Sequence, residues 1–236
     1  MSKVIESCLS RGVKNCGFHI SVIGVIGSGK TTLTESIKKV LEEKYGSCEG
    51  LWEPVEDNPI LPLYYENPDK YAFPMQIYML NRRMEQQRIA QDFALAGVHS
   101  VQDSSVFSDS CFVEMLRKSG VMTQEECDIY SRLFINMSRD VMYPSLVVYL
   151  DCEPSVAMKR IEKRGRECER GIPESYLKSL KDELDIFVDE FSCYTDVYRH
   201  DANVDLTPEQ IDEKAKHIVS YLEEKRKSPK LSRMGV

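Results

Sequence analysis

The chain has 236 residues, 42% hydrophobic and 29% charged, which is enough apolar material for one sizeable core and too much for wholesale disorder. Its formal net charge of −7 argues against a general binder of nucleic acid or of anionic membranes. No apolar run approaches the length of a membrane span, so any affinity for phosphate has to be local.

Met1 to Gly17 is short, mixed in charge and broken by glycine, and reads as a mobile lead-in without the apolar centre of a signal peptide. His19 to Ile23 reads as a buried strand. It runs into Gly24-Val25-Ile26-Gly27-Ser28-Gly29-Lys30-Thr31, which matches G-x-x-x-x-G-K-[ST], the phosphate-binding P-loop. Thr32 to Lys44 follows with apolar residues at Leu33, Ile37, Val40 and Leu41, a helical spacing. Strand, glycine loop and helix are what phosphate binding needs. The glycines (24, 27 and 29), with Ser28, let backbone N–H groups approach the anion, and the helix start, through Thr32, adds partial positive charge. Lys30 reaches the β- and γ-phosphates of ATP and the Thr31 hydroxyl can ligate Mg²⁺.

Further along, Gly50 to Val55 looks like a short second strand. Prolines at 54, 59, 62, 68 and 74 make Glu53 to Pro74 an irregular connection with one short helix. Met75 to Ala96 reads as a long helix and Val98 to Gln102 as a third strand closed by Asp103. Phe112 to Lys118 and Thr123 to Met142 read as helices, the second opened by Thr123 with Glu126 three residues on, a capping box. Ser145 to Leu150 is the clearest strand, continuous and apolar as buried parallel strands are. Helices follow over Pro154 to Lys163 and Pro173 to Phe191, then a weakly patterned fifth strand over Val197 to Ala202. A final amphipathic helix over Pro208 to Glu224 leads to a basic, proline-containing tail expected to fray from Lys225. The pattern divides as a lead-in over 1–17, one domain over 18–226 and a tail over 227–236. Alternating strands and helices imply an α/β fold with a five-stranded, doubly wound parallel sheet and ligands beyond the strand C-termini. Eight cysteines without a C-x-x-C pair, beside four histidines, fit reduced thiols of a cytoplasmic protein better than a zinc site.

Two carboxylates, Glu53 and Asp103, fall at strand ends near the expected phosphates. A kinase needs one acid to take the proton of the attacking hydroxyl and another to hold Mg²⁺; spacing alone also allows two surface acids. Lys159, Arg160, Lys163, Arg164, Arg166 and Arg170 form a local cationic excess in an acidic chain. This is a solvated helix face or, as the flanking Gly165 and Gly171 favour, a lid that closes over a triphosphate.

These residues carry a family resemblance. The chain resembles the P-loop deoxynucleoside kinases, and especially their purine-preferring bacterial-type members. The match runs through Gly24–Thr31, Trp52-Glu53-Pro54-Val55, Tyr65-Glu66-Asn67-Pro68, Met75-Gln76-Ile77-Tyr78 with Arg83, Asp103–Asp109 and Arg160–Pro173. The resemblance implies transfer of the ATP γ-phosphoryl group to the 5′-hydroxyl of a deoxyribonucleoside, with a purine expected. Glu53 would be the general base and Asp103 would help hold Mg²⁺. Gln76, with Arg83 and Asp109, would read the nucleobase, and Phe112 would stack on it. Tyr65 and the lid's Glu169 would hold the 3′-hydroxyl, Arg160 would pack on the ATP adenine, and Arg164 and Arg166 would contact phosphates. It also implies a homodimer through the long helices. The family's acid-Arg-Ser motif reads Asp103-Ser104-Ser105 here. In the family that arginine lies beside the general base, so its loss implies slow turnover, relieved by Ser104→Arg, unless Arg139 or Arg166 takes its place. A catalytically weakened binding or assembly subunit is the alternative. A monophosphate kinase is the nearest rival enzyme, and no Asn-Lys-x-Asp run supports a GTPase.

Overall fold

The computed structural model describes residues 16–53, 58–166, 169 and 171–227. Five strands, β1 (His19–Gly24), β2 (Cys48–Leu51), β3 (His99–Asp103), β4 (Leu146–Asp151) and β5 (Val197–Asp201), form one parallel sheet in the order β2-β3-β1-β4-β5. β1 and β4, side by side in it, are buried almost end to end; β4 accordingly runs apolar without alternation, while in β1 the buried His19 and Ser21 hydrogen-bond to each other.

Helix α1 (Lys30–Tyr45) packs on β1 to β3 and carries α8 (Pro208–Lys227) against it. The short α2 (Leu61–Glu66) leads into the long α3 (Pro68–Leu95), which crosses the same three strands. Because the β2–α3–β3 crossover runs opposite to β1–α1–β2 along the sheet, right-handed connections place α3 on the other face. α4 (Ser110–Lys118) and α5 (Gln124–Ser138) pack against it, and α6 (Pro154–Arg164) and α7 (Glu174–Phe191) follow, with α7 packed on both α4 and α6. The chain leaves β1 towards β2 and leaves β3 towards β4. The carboxyl ends of these neighbouring strands are therefore the switch point where such sheets bind ligands.

Several boundaries differ from the sequence reading. β2 stops at Leu51, paired with Gln102; its partner β3 ends one residue later, at Asp103, so the ladder cannot reach Glu53. Residues 54–57, the rest of the expected strand, lie outside the described residues. α3 begins at Pro68, seven residues before the expected start. Asn67 caps it by accepting from the Lys70 N–H at 3.3 Å, and Pro68 occupies the first turn, where a missing N–H costs nothing. Pro74, the seventh residue, falls in the second turn. α5 ends at Ser138, not Met142, and the capping box of Thr123 and Glu126 is present. α8 continues to Lys227, because Arg226 stacks on Phe18 (4.6 Å from the ring centroid) and donates to the Cys16 carbonyl. The expected tail beyond 227 and the lead-in up to residue 15 lie outside the described residues. No helix among the described residues is long and apolar enough to cross a membrane.

Candidate active site

The P-loop bends from β1 into α1 through left-handed glycines. At Gly27 (φ +82°) an added Cβ would lie 2.7 Å from the Ala157 carbonyl, so the loop leans directly on α6. Gly29 (φ +96°) is the N-cap of α1; no side chain caps this end and no acid stands in its first turn. The first N–H groups of the helix are thus left for an anion. Lys30 folds back over the loop, donating to the carbonyls of Gly24 and Val25, both at 3.1 Å. The hydroxyl of Ser28, within the loop, is buried without a hydrogen-bond partner among the described residues.

Beside the loop, at the end of β3, Asp103 Oδ2 accepts from the Thr31 hydroxyl at 2.6 Å. Asp103 Oδ1 is buried and has no hydrogen-bond partner among the described residues. A free carboxylate oxygen next to a hydroxyl is a hard oxygen donor set that suits Mg²⁺. Burial pushes the Asp103 carboxyl up, with Glu53 adding to the rise, while Lys30 opposes it.

A cavity of about 590 Å³ opens from the P-loop towards α3 and the lid. Of the site residues expected from the sequence, Gly24, Gly27, Lys30, Thr31, Glu53, Tyr65, Gln76, Arg83, Asp103, Phe112, Arg164, Arg166 and Glu169 line it. Asp109 does not. It is fully buried behind Arg83, pairing through Oδ1 with Arg83 Nη1 and accepting from the Tyr130 hydroxyl at 2.7 Å through Oδ2. Arg83 Nη2 pairs in turn with Glu53. Burial alone would raise the Glu53 carboxyl; Arg83 and Lys30 outweigh it and hold the group below the usual glutamate value. Asp109 stays raised by its complete burial despite Arg83. Phe112 lies over the same guanidinium, 5.4 Å from its ring centroid.

The cation on Glu53 is therefore Arg83, from α3. Of the two substitutes considered for the arginine missing at Ser104, Arg166 lines the cavity and adds to the charge that lowers Glu53, whereas Arg139 does not line it. Ser104 itself is buried with φ +78°, the one non-glycine residue with positive φ among those described.

In the lid, Glu169 is buried and accepts from Arg164 at 2.6 Å and Arg166 at 3.4 Å. Glu167, Cys168 and Arg170 lie outside the described residues. Arg160 lies outside the cavity, between the P-loop and the segment after β5. It donates to Asp205 (2.8 and 3.0 Å), to the Ala202 carbonyl (2.8 Å) and to the Ser28 carbonyl (3.4 Å).

The sequence reading missed several lining residues. Asn58 holds the start of α2 by accepting from the N–H groups of Ile60 and Leu61, and Tyr64 meets Tyr176 hydroxyl to hydroxyl at 3.5 Å. Asn58 precedes Pro59, a local turn signal; nothing in the sequence around Tyr176 marks it.

The description "Deoxynucleoside kinase" belongs to the family whose profile matches residues 20–225. The chain is 36% identical over 195 residues to a deoxyadenosine kinase of Dictyostelium discoideum, covering 83% of this chain and 76% of that protein. It is 38% identical over 168 residues to a deoxyguanosine kinase of Lactobacillus johnsonii, covering 69% of this chain and 70% of the relative. Among solved structures, deoxyadenosine kinase from M. mycoides with bound dATP superposes with a TM-score of 0.73 at 27% identity, over 86% of this chain and 99% of that one. The chain belongs to the deoxynucleoside kinase family, and its parallel sheet, P-loop and basic lid are the P-loop kinase fold expected from the sequence.

Proposed function

We propose that the protein transfers the γ-phosphoryl group of ATP to the 5′-hydroxyl of a purine deoxyribonucleoside. The observation that carries this reading is that one cavity is lined by the P-loop lysine, Lys30, by the Thr31–Asp103 pair and by the Glu53 carboxylate. Donor phosphates and an acceptor hydroxyl can meet there. The similarity to kinases named for deoxyadenosine and deoxyguanosine supports the purine preference.

Each step rests on this chain's own groups. Glu53, kept ionised by Arg83 and Lys30, accepts the proton of the 5′-hydroxyl as its oxygen attacks. The bare N-terminus of α1 and the P-loop amides, with Gly24, Gly27, Ser28, Gly29 and Thr32 around them, receive the β- and γ-phosphates, and Lys30 turns from its loop carbonyls onto them. Arg164 and Arg166 approach the transferring group from the lid, where charge grows in the transition state. Thr31 and Asp103 would hold Mg²⁺, which neutralises phosphate charge when bound. Gln76 presents a donor and an acceptor to the base, Arg83, held from behind by Asp109, completes that polar face, and Phe112 supplies the stacking plane. Tyr65 and Glu169 hold the 3′-hydroxyl, so that lid closure and sugar binding go together and water is excluded. Arg160, braced by Asp205, offers its guanidinium plane to the ATP adenine. The enzyme works in the cytoplasm as a homodimer joined through its long helices, without nucleic acid as a partner.

Incubation with ATP, Mg²⁺ and each deoxynucleoside in turn, with chromatographic detection of the monophosphate, tests the reading. Product with deoxyadenosine or deoxyguanosine in excess over thymidine supports it. Binding without product from any nucleoside would leave a binding subunit instead.

A further inference from the structure

Asp109 stands at the N-cap of α4, where an aspartate ordinarily accepts from the helix N–H groups, yet its side chain makes no capping bond. Both oxygens are committed elsewhere, Oδ1 to Arg83 and Oδ2 to the Tyr130 hydroxyl at 2.7 Å. Arg83 is in turn divided between two acids, Nη1 to Asp109 and Nη2 to Glu53. Four side chains from four segments thus form one unbroken line: Tyr130 in α5, Asp109 ahead of α4, Arg83 in α3 and Glu53 after β2. Its inner end is dry, with Tyr130 2% exposed and Asp109 0%, and its outer end lies in the cavity.

The geometry points to Tyr130 as a positioning residue: through Asp109 its hydroxyl fixes the Arg83 guanidinium, and through Arg83 the Glu53 carboxylate. A group that never touches substrate thereby acts on turnover and base choice together. The inference rests on Glu53 being the general base. Arg83 Nε is buried with no partner among the described residues, so the hydrogen bonds that fix the guanidinium among those residues are the two at its ends. Removing the donor on Asp109 Oδ2 frees that carboxylate to rotate, and the guanidinium that shares it moves off Glu53. The Tyr130 ring is a separate matter; it stacks near Phe134, with centroids 6.5 Å apart, and phenylalanine would keep that packing. Because Arg83 also faces the nucleobase end of the cavity, the same loosening reaches base selection.

The test is a double-mutant cycle in kcat, with KM measured beside it, on wild type, Tyr130→Phe, Glu53→Gln and the double variant. The loss of one hydrogen bond to a charged group lowers kcat about tenfold in Tyr130→Phe, and the preference among the four deoxynucleosides narrows. In the Glu53→Gln background the same substitution has no further effect on kcat, because the group it positions is gone. Asp109→Asn, which leaves the Tyr130 ring packing untouched, shows the same loss and the same dependence on Glu53. A Tyr130→Phe protein with a lower Tm but unchanged kcat and unchanged base preference would overturn the proposal, as would equal losses in both backgrounds. A Glu53→Gln enzyme turning over at the wild-type rate would remove the base assignment first and this proposal with it. That outcome is distinct, since it is read from the single variant.

Discussion

Thr31 and Asp103 stand 72 residues apart in the chain and are joined by a 2.6 Å hydrogen bond, because β1 and β3 are neighbours in register. The bond uses one carboxylate oxygen and leaves the other without a partner among the described residues. Asp103→Asn keeps an oxygen for Thr31 and removes the charge. The expected outcome is a Mg²⁺ requirement raised about tenfold or more, since hard cations prefer carboxylate to amide oxygen, with little change in nucleoside affinity. Magnesium titrations of the rate and isothermal titration with nucleoside check the two halves separately.

Asp109→Ala strips Arg83 of one of its two carboxylates in a buried position. Breaking a buried pair from one side costs about 3–5 kcal/mol, so Tm should fall by roughly 6–20 °C at ~2–4 °C per kcal/mol for a chain of this size. Arg83, no longer restrained from behind, should admit thymidine, raising its use relative to the purines. Calorimetry and a four-nucleoside panel decide; an unchanged preference order would count against Asp109 as a specificity group.

The family motif gives the expectation that Ser104→Arg raises turnover; the surroundings of Glu53 give the opposite one. Glu53 already has a cation in Arg83, and Arg166 adds to its field. Position 104 is moreover buried beside the cavity, where an arginine crowds its neighbours and brings a second guanidinium towards the first. Turnover should be no higher than wild type and stability lower by about 1–3 kcal/mol, as overpacking a buried position costs. Steady-state kinetics and thermal melts on the pair would show it, and a severalfold faster variant would restore the motif arginine as a missing catalytic group.

His19 supplies a pH dependence of stability. Its ring, at the start of β1, lies within 3.0 Å of Ser100 Oγ and 3.3 Å of Ser21 Oγ. Burial pushes it down to about 4, against hydrogen bonding from Gln87 and Gln102. The unfolded chain, with histidine near 6.5, takes up the proton first. The contribution is therefore complete above pH 6.5 and is lost as pH falls from there to about 4, by as much as ~3 kcal/mol. Urea midpoints measured from pH 7 to pH 5 should fall for wild type and fall less for His19→Gln.

How much could be read in the sequence followed from how local each signal is. The P-loop and the apolar β4 announced themselves because motif and burial are written in consecutive residues. The helix α3 was cut short because five prolines suggested a loop, although Pro68 starts a helix that Asn67 caps and Pro74 falls in its second turn. Its inner face was also blurred, since Gln76, Arg83 and Gln87 are buried polar residues where an amphipathic helix shows apolar ones. Most of the expected site residues converge on the cavity, but the partnerships could be read only in part. The resemblance did pair Asp109 with Arg83, but that Arg83 would reach Glu53 as well, or that Tyr130 would stand behind them, depends on four segments meeting in space.

The close approach of Gly27 to the Ala157 carbonyl has a mechanical consequence. Together with Arg160, whose guanidinium reaches the Ser28 carbonyl, it fastens α6 to the phosphate loop at two points one turn apart. The lid cannot swing as a rigid extension of that helix without dragging the donor's seat along. The helix itself ends at the left-handed Gly165, so a hinge for the lid would fall no earlier than there, and a moving arm would begin with Arg166.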